Sequence, residues 1–297
     1  MALDKKVFQT RARTAIAYAV VMLTGLLWNE WSFFILFSIV HFGCWYEYQK
    51  LAVRIDSSFG ATSLLNRIFF PLFGWGFLLV AVSDHLVLMG IPLNKVGYQL
   101  IRWGGYFLPV LFIINRNLSV RHLARSMGGV VYISLFLALL INLRSGWIWM
   151  QGNSSDAFTS AISGFSGKLV AILMVVSIWI NDTMAYLVGS WIGKTPLTKW
   201  SPKKTWEGTV GGIVLSAGLI WAFAFFRWEA NYEVLIITST AAVAGTFGDL
   251  LESRLKRLAQ VKDSGTFLPG HGGFLDRFDS ILLAAPAVWL IAYLLYR

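Results

Sequence analysis

Asp249, Ser253 and Lys256 recur at i, i+4 and i+7, a spacing that stacks a carboxylate, a hydroxyl and an ammonium on one helix face, with Glu252 beside them. Such a trio can hold a hard cation together with the phosphate oxygens it bridges. The same residues also suit a ladder of salt bridges at a helix end with snorkelling lysine and arginine. Downstream come Arg257, Lys262 and Asp263, the turn Pro269-Gly270-His271-Gly272-Gly273, and then Asp276, Arg277 and Asp279. The glycines let backbone N–H groups close on an anion. His271 serves as a phosphate ligand, as a proton donor or simply as a turn residue. Asp276 and Asp279, three apart, face the same way if a helix starts there. In all, the stretch 248–279 carries five carboxylates and five Lys or Arg between two apolar runs, a density that is costly to place beside a bilayer without a function.

Two upstream segments carry related chemistry. Asn181 and Asp182 interrupt an apolar run, and Asp182, Tyr186, Gly189 and Gly193 share one helix face, where small residues admit a partner helix or a ligand. The segment 193–208, GKTPLTKWSPKKTWEG, offers Lys194, Lys199, Lys203 and Lys204 with the Thr205 hydroxyl and turn-forming Pro and Gly. That composition suits phosphate binding, and it equally suits attraction to anionic headgroups. Its GKT is not a P-loop, because the GxxxxGK spacing and the preceding strand are missing.

The elements that must position these residues lie in a membrane. Only 13% of the residues are charged, against about 25% in a soluble domain, while 57% are hydrophobic and the mean hydropathy is +0.63. Apolar runs at 14–29, 32–49, 67–89, 98–114, 127–143, 168–190, 209–226, 232–252 and 280–296 predict an all-α, polytopic integral membrane helical bundle of about nine transmembrane helices. The fourth run is the weakest, since Arg102 and two glycines interrupt its start, and a tilted or partly re-entrant segment fits it. The first run lacks a small-x-small cleavage site and reads as a retained helix. Trp and Tyr near the ends of the runs fit interfacial belts. With the N-terminus in the cytoplasm, nineteen of the 25 Lys and Arg fall on the cytoplasmic side, which predicts an N-in, C-out chain. From the outer end of the sixth run, Asp182 lies about 20 Å along the axis, in the cytoplasmic half of the bilayer. The distribution of the +10 charge favours anionic lipid and phosphate over nucleic acid.

The first five runs hold little ionisable chemistry. Asp84 and His85 read as solvated at an interface, His41 as a hydrogen-bonded core histidine, and Glu47 as lying near a cytoplasmic helix end. The single cysteine, Cys44, reads as a small packing residue, and 144–167 as an outward-facing loop. The chain 1–297 is taken as one membrane domain, in which 1–167 forms scaffold, lipid wall or interface and 168–297 carries the chemistry.

Taken together, Ser253-x-x-Lys256-Arg257, Lys262-Asp263, Pro269 to Gly273, Asp276-Arg277 and Asp279 resemble the C-terminal signature of the phosphatidate cytidylyltransferases, or CDP-diacylglycerol synthases. The resemblance extends to Asn181-Asp182, Gly193-Lys194, the segment 201–205 and Glu207-Gly208, and so covers about the last 130 residues. It implies the reaction CTP + phosphatidate → CDP-diacylglycerol + pyrophosphate, dependent on Mg2+, at the cytoplasmic face of the inner membrane, among membrane phospholipids, by a homodimer. With that reaction in view, Asp249 and Asp276 are the first candidates for Mg2+ ligands, followed by Asp279 and Asp182. Mg2+ takes only one or two carboxylates with substrate oxygens, so the surplus leaves room for a second cation or for orienting roles. Lys256, Arg257, Lys262 and Arg277 would hold the triphosphate and the lipid phosphate. Asp263, His271, Gly272, Gly273, Lys203, Lys204 and Thr205 complete the substrate-binding set, and Ser253 and Lys256 join the carboxylates in the catalytic set. The competing readings are a CTP-using membrane enzyme acting on another lipid phosphate or a polyprenol, a secondary transporter, and a catalytically silent assembly protein.

Overall fold

The computed structural model describes residues 5–114, 119–145, 167–228, 232–267 and 272–295. Nine helices account for most of them: α1 (Lys5–Leu27), α2 (Glu30–Ile55), α3 (Leu64–Val80), α4 (Leu93–Ile114), α5 (Val120–Ser145), α6 (Gly167–Ile192), α7 (Trp206–Trp228), α8 (Tyr232–Leu258) and α9 (Leu275–Leu295). Each apolar run of the sequence overlaps one of these helices. Among the described residues, α5 to α9 are long and apolar enough to cross a membrane.

Helix starts follow local chemistry. Asn29 and Ser32 form a reciprocal capping box at α2, with Ser32 N donating to Asn29 Oδ1 at 2.8 Å and Asn29 N to Ser32 Oγ at 3.1 Å. Ser63 and Ser119 cap α3 and α5. The third apolar run overshoots its helix. α3 stops at Val80, and the chain turns through a two-residue hairpin pairing Val87–Leu88 with Ile91–Pro92, with positive φ at Met89 and Gly90. Asp84 and His85 are exposed there, and Asp84 accepts from Asn94 Nδ2. The fourth run, with its broken pattern, is one continuous helix. Two of its three glycines serve packing: a Cβ at Gly97 would overlap the α3 backbone, and one at Gly104 would overlap Phe73, while Gly105 faces open space.

Two compact units are present. The first comprises Met1–Ile141 with Leu255–Phe278. Here α1 packs on α2, α2 on α3 and α3 on α4, around buried Phe33, Phe37, Trp45, Phe70, Leu78, Leu79 and Ile133. Midway along α5 the helix widens into a π segment, Val130–Leu135, the kind of local insertion that re-aims side chains. It places Ser134 Oγ 2.9 Å from His41 Nε2, and Trp45 Nε1 donates to the same hydroxyl at 2.9 Å. His41 is thus the hydrogen-bonded core histidine that the sequence predicts, and Cys44, three residues on, is fully buried.

The second unit comprises Asn142–Arg254 with Asp279–Arg297. In lipid, helices gain little from leaving the solvent, so close packing and interhelical hydrogen bonds take over. α6 and α7 meet through small residues, Gly208 and Gly212 of α7 lying against the α6 backbone at Ala185 and Gly189. Two polar rungs tie α6 to α8: Ser177 Oγ donates to the Thr238 carbonyl at 2.8 Å, and Asn181 Nδ2 donates to Thr246 Oγ1 at 3.3 Å. α8 and α9 approach so closely that a side chain at Gly248 would overlap the Asp279 carbonyl.

Candidate functional site

In the second unit a cavity of about 400 Å3 is lined by Asp182, Tyr186 and Gly189 of α6, by Lys203, Lys204 and Thr205 of the following loop, by Thr209 of α7, and by Thr246 and Asp249 of α8. Of the face read from the sequence, Asp182, Tyr186 and Gly189 line this space, while Gly193 falls just past the end of α6 and outside the lining. The loop is a small hairpin rather than a loose basic strap. Leu197 N donates to the Lys204 carbonyl at 2.7 Å and Trp206 N to the Thr195 carbonyl at 2.9 Å. Glu207, in the first turn of α7, accepts from Lys194 N at 3.1 Å and Thr195 N at 3.2 Å, which closes the hairpin at its base. Thr205 Oγ1 accepts from Gly208 N at 3.2 Å, capping α7.

So held, Lys204 reaches Asp249 and forms an ion pair in which both side chains stay partly accessible, at 30% and 28%. Ser253, one turn further along α8, donates its hydroxyl to Asp249 Oδ1 at 3.3 Å. At the edge of the hairpin the Arg254 guanidinium lies over Trp200, 5.2 Å from the ring centroid. Among the described residues no group of three or more His, Cys, Asp or Glu side chains is gathered in a metal-binding cluster. The donor set nevertheless suits Mg2+, since Asp182 and Asp249 share the cavity, and Mg2+ asks for one or two carboxylates with phosphate oxygens and water.

The first unit contains a second polar cluster. Asp276 Oδ1 accepts from Lys256 Nζ at 2.6 Å. Its Oδ2 accepts from Ser264 N at 2.9 Å, Ser264 Oγ at 3.0 Å and Gly273 N at 2.8 Å. Gly272 holds φ +84°, a left-handed turn that a Cβ would strain. Behind this cluster lies Glu47 of α2, only 2% exposed, whose carboxylate accepts from Ser264 Oγ, Phe274 N and Leu275 N.

Of the sequence candidates, then, Asp182, Lys203, Lys204, Thr205 and Asp249 come together, with Ser253 on Asp249, and Lys256, Gly272, Gly273 and Asp276 come together separately. Asp279 is 7% exposed in the first turns of α9. Arg257, Lys262, Asp263 and Arg277 are exposed, and Arg257 Nη1 donates back to the Val261 carbonyl at 3.4 Å. His271, Pro269 and Gly270 lie outside the described residues, as does 146–166. Sequence reasoning missed the parts played by Glu47 and Ser264. The only hint was a carboxylate in an apolar run.

Membrane-length apolar helices, with a cavity lined by carboxylates, lysines and hydroxyls among apolar surface, define a multi-pass membrane protein. The chain belongs to the cytidylyltransferase family, whose profile matches residues 9–295. It is 40% identical over 254 residues to the phosphatidate cytidylyltransferase of Haemophilus influenzae, covering 82% of each chain. Shorter alignments join it to the enzymes of that name from Synechocystis, at 42% identity over 44% of this chain and 45% of the relative, and from Bacillus subtilis, at 46% identity over 39% of this chain and 44% of the relative. In those two alignments the chain spans less than half the length of the relative.

Proposed function

We propose that this protein is a phosphatidate cytidylyltransferase, forming CDP-diacylglycerol and pyrophosphate from CTP and phosphatidate. The observation that carries the proposal is the cavity of the second unit: Asp182, the run Lys203, Lys204 and Thr205, and Asp249, from three separate stretches of sequence, line one space, in a chain with relatives of that name. A phosphate oxygen of the lipid attacks the α-phosphorus of CTP; the new P–O bond forms as the bond to the β-phosphate oxygen breaks, and pyrophosphate leaves with that electron pair. Both reactants are polyanions, so positioning and neutralisation of charge dominate the barrier.

Lys203 and Lys204 hold triphosphate oxygens, with Lys204 exchanging Asp249 for phosphate when the nucleotide enters. Asp249 and Asp182 would hold Mg2+, which would supply charge neutralisation to the triphosphate and polarise its α-phosphorus. Asp276 and Asp279 stand next in the implied ligand set, with Lys256, Arg257, Lys262, Arg277 and His271 as further phosphate contacts. No covalent protein nucleophile is required, because the lipid brings its own oxygen. All nine helices span the inner membrane, N-in and C-out, so that the cavity faces the cytoplasm, where CTP is available; the working form is a homodimer among membrane phospholipids.

The test is a panel of acceptors offered with labelled CTP and Mg2+ to the purified protein in nanodiscs. The reading requires phosphatidate to be cytidylylated well ahead of a polyprenyl phosphate, and preference for the polyprenyl phosphate would overturn it.

A further inference from the structure

The segment after α8 is pinned by a side chain 217 residues earlier in the chain. Glu47 Oε1 accepts from Phe274 N at 2.9 Å, and its Oε2 accepts from Leu275 N at 2.9 Å and from Ser264 Oγ at 2.7 Å. Leu275 is the first residue of α9, so Glu47 places its carboxylate at the positive end of that helix, on N–H groups with no intrahelical partner. Asp276 clamps the same segment through Ser264 N and Gly273 N, and it also takes Lys256. The room around Glu47 is shaped to its carboxylate, since a Cβ at either Gly265 or Gly273 would overlap its oxygens. Three consecutive backbone donors, on Gly273, Phe274 and Leu275, are therefore committed to protein carboxylates.

We propose that Glu47 is a positioning residue for the cytidylyl transfer. It locks both ends of the 264–275 segment and, through Ser264, sets the orientation of Asp276 and Lys256. The inference rests on the reaction proposed above. It also changes how phosphate is met in this part of the chain, because the donors of Gly273, Phe274 and Leu275 are already spent. Lysine and arginine side chains, rather than a backbone nest of glycine N–H groups at 273–275, make the contacts with the substrate. The helix that supplies Glu47 belongs to the half of the chain outside the signature residues, so the signature alone is an incomplete unit.

The test compares wild type with Glu47→Gln and Ser264→Ala in nanodiscs by hydrogen exchange and steady-state kinetics. In Glu47→Gln the amides of Phe274 and Leu275 exchange about tenfold faster, while those of α6 and α7 are unchanged. In the same variant kcat falls about 10- to 100-fold, the usual cost of losing a residue that orients a reactive carboxylate. KM for CTP and for phosphatidate stays within about twofold, which separates lost positioning from lost binding. Ser264→Ala removes only the shared hydroxyl and shows the same pattern at smaller size, and it decides the matter should Glu47→Gln fail to fold. Unchanged exchange at 273–275, or faster exchange with wild-type kcat, overturns the proposal. Should wild type itself form no CDP-diacylglycerol, the proposed reaction fails, and the exchange arm still decides whether Glu47 is the clamp.

Discussion

Asp276 accepts from Lys256, Ser264 N and Gly273 N, shares the Ser264 hydroxyl proton with Glu47, and has a side chain 8% exposed, whereas among the described residues Asp249 holds Lys204 and the longer Ser253 contact and is 28% exposed. Both carboxylates pair with lysine, both lie at the end of an apolar helix, and both fall in the stretch 248–279. Their surroundings differ in how far the protein has already satisfied them. Around Asp276, backbone N–H groups, Ser264 and Lys256 occupy the lone pairs, and Gly272 sits so close that a Cβ there would press on the carboxylate. Around Asp249, a single lysine from a hairpin stands against a cavity large enough for phosphate. The first arrangement is built to hold a shape, and the second to exchange a partner.

The largest effect that separates them is chemical. Asp249→Asn lowers kcat for CDP-diacylglycerol formation by on the order of 10²- to 10³-fold, comparable to removing one transition-state charge contact, with elution profile and helical content unchanged; wild-type turnover in this variant would remove the distinction between the clusters. On the closed side the effect is on stability. Gly273→Ala drives a methyl into the Glu47 carboxylate and costs about 1–3 kcal/mol, as overpacking does. Gly218→Ala, with nothing within 4 Å of the added carbon, is neutral or raises stability by up to about 1 kcal/mol. Thermal unfolding of the two variants in one detergent reads the difference. Lys204→Met is expected to raise KM for CTP about tenfold, the loss of a single charged contact, while the unfolding midpoint hardly moves, because a part-exposed ion pair adds only about 0–1 kcal/mol.

The smallest effect comes from an ion pair outside both clusters, whose carboxylate, Asp56, lies just past the end of α2. The Ser58 hydroxyl, and then the Arg125 guanidinium, hold the Asp56 carboxyl well below the usual carboxylate range. A depressed folded-state value means that the contact stabilises fully above the ordinary range and is lost only as pH falls through the depressed value. The difference in unfolding midpoint between wild type and Asp56→Asn should therefore hold steady from about pH 7 to about pH 5 and shrink only in stronger acid. A difference that vanishes at mildly acid pH would contradict the assignment.

Much of this was legible in the residues. Periodicity and run length put a helix at every apolar segment, and the i, i+4, i+7 spacing on 182–189 found the cavity-lining face of α6. What it could not supply is pairing across long separations. Nothing local distinguishes Glu47 from a carboxylate snorkelling at a helix end, because its donors arrive from Ser264, Phe274 and Leu275. Hydropathy also missed the stop of α3, where Val82 and Leu86 extend the apolar run past the last helical turn. The π segment of α5 left no trace in composition, and the partners of its Ser134 hydroxyl, His41 and Trp45, come from a distant part of the chain. The 194–206 hairpin was visible as basic and turn-rich, but Glu207 as its fastening depends on backbone geometry.

The fate of each phosphorus of CTP tests the proposed reaction at its centre. With purified protein, phosphatidate and Mg2+, CTP labelled on its α-phosphate should transfer its label to lipid, while the same nucleotide labelled on the γ-phosphate releases its label as pyrophosphate in equal amount. Label from the γ-phosphate in lipid, or from neither position, would contradict it.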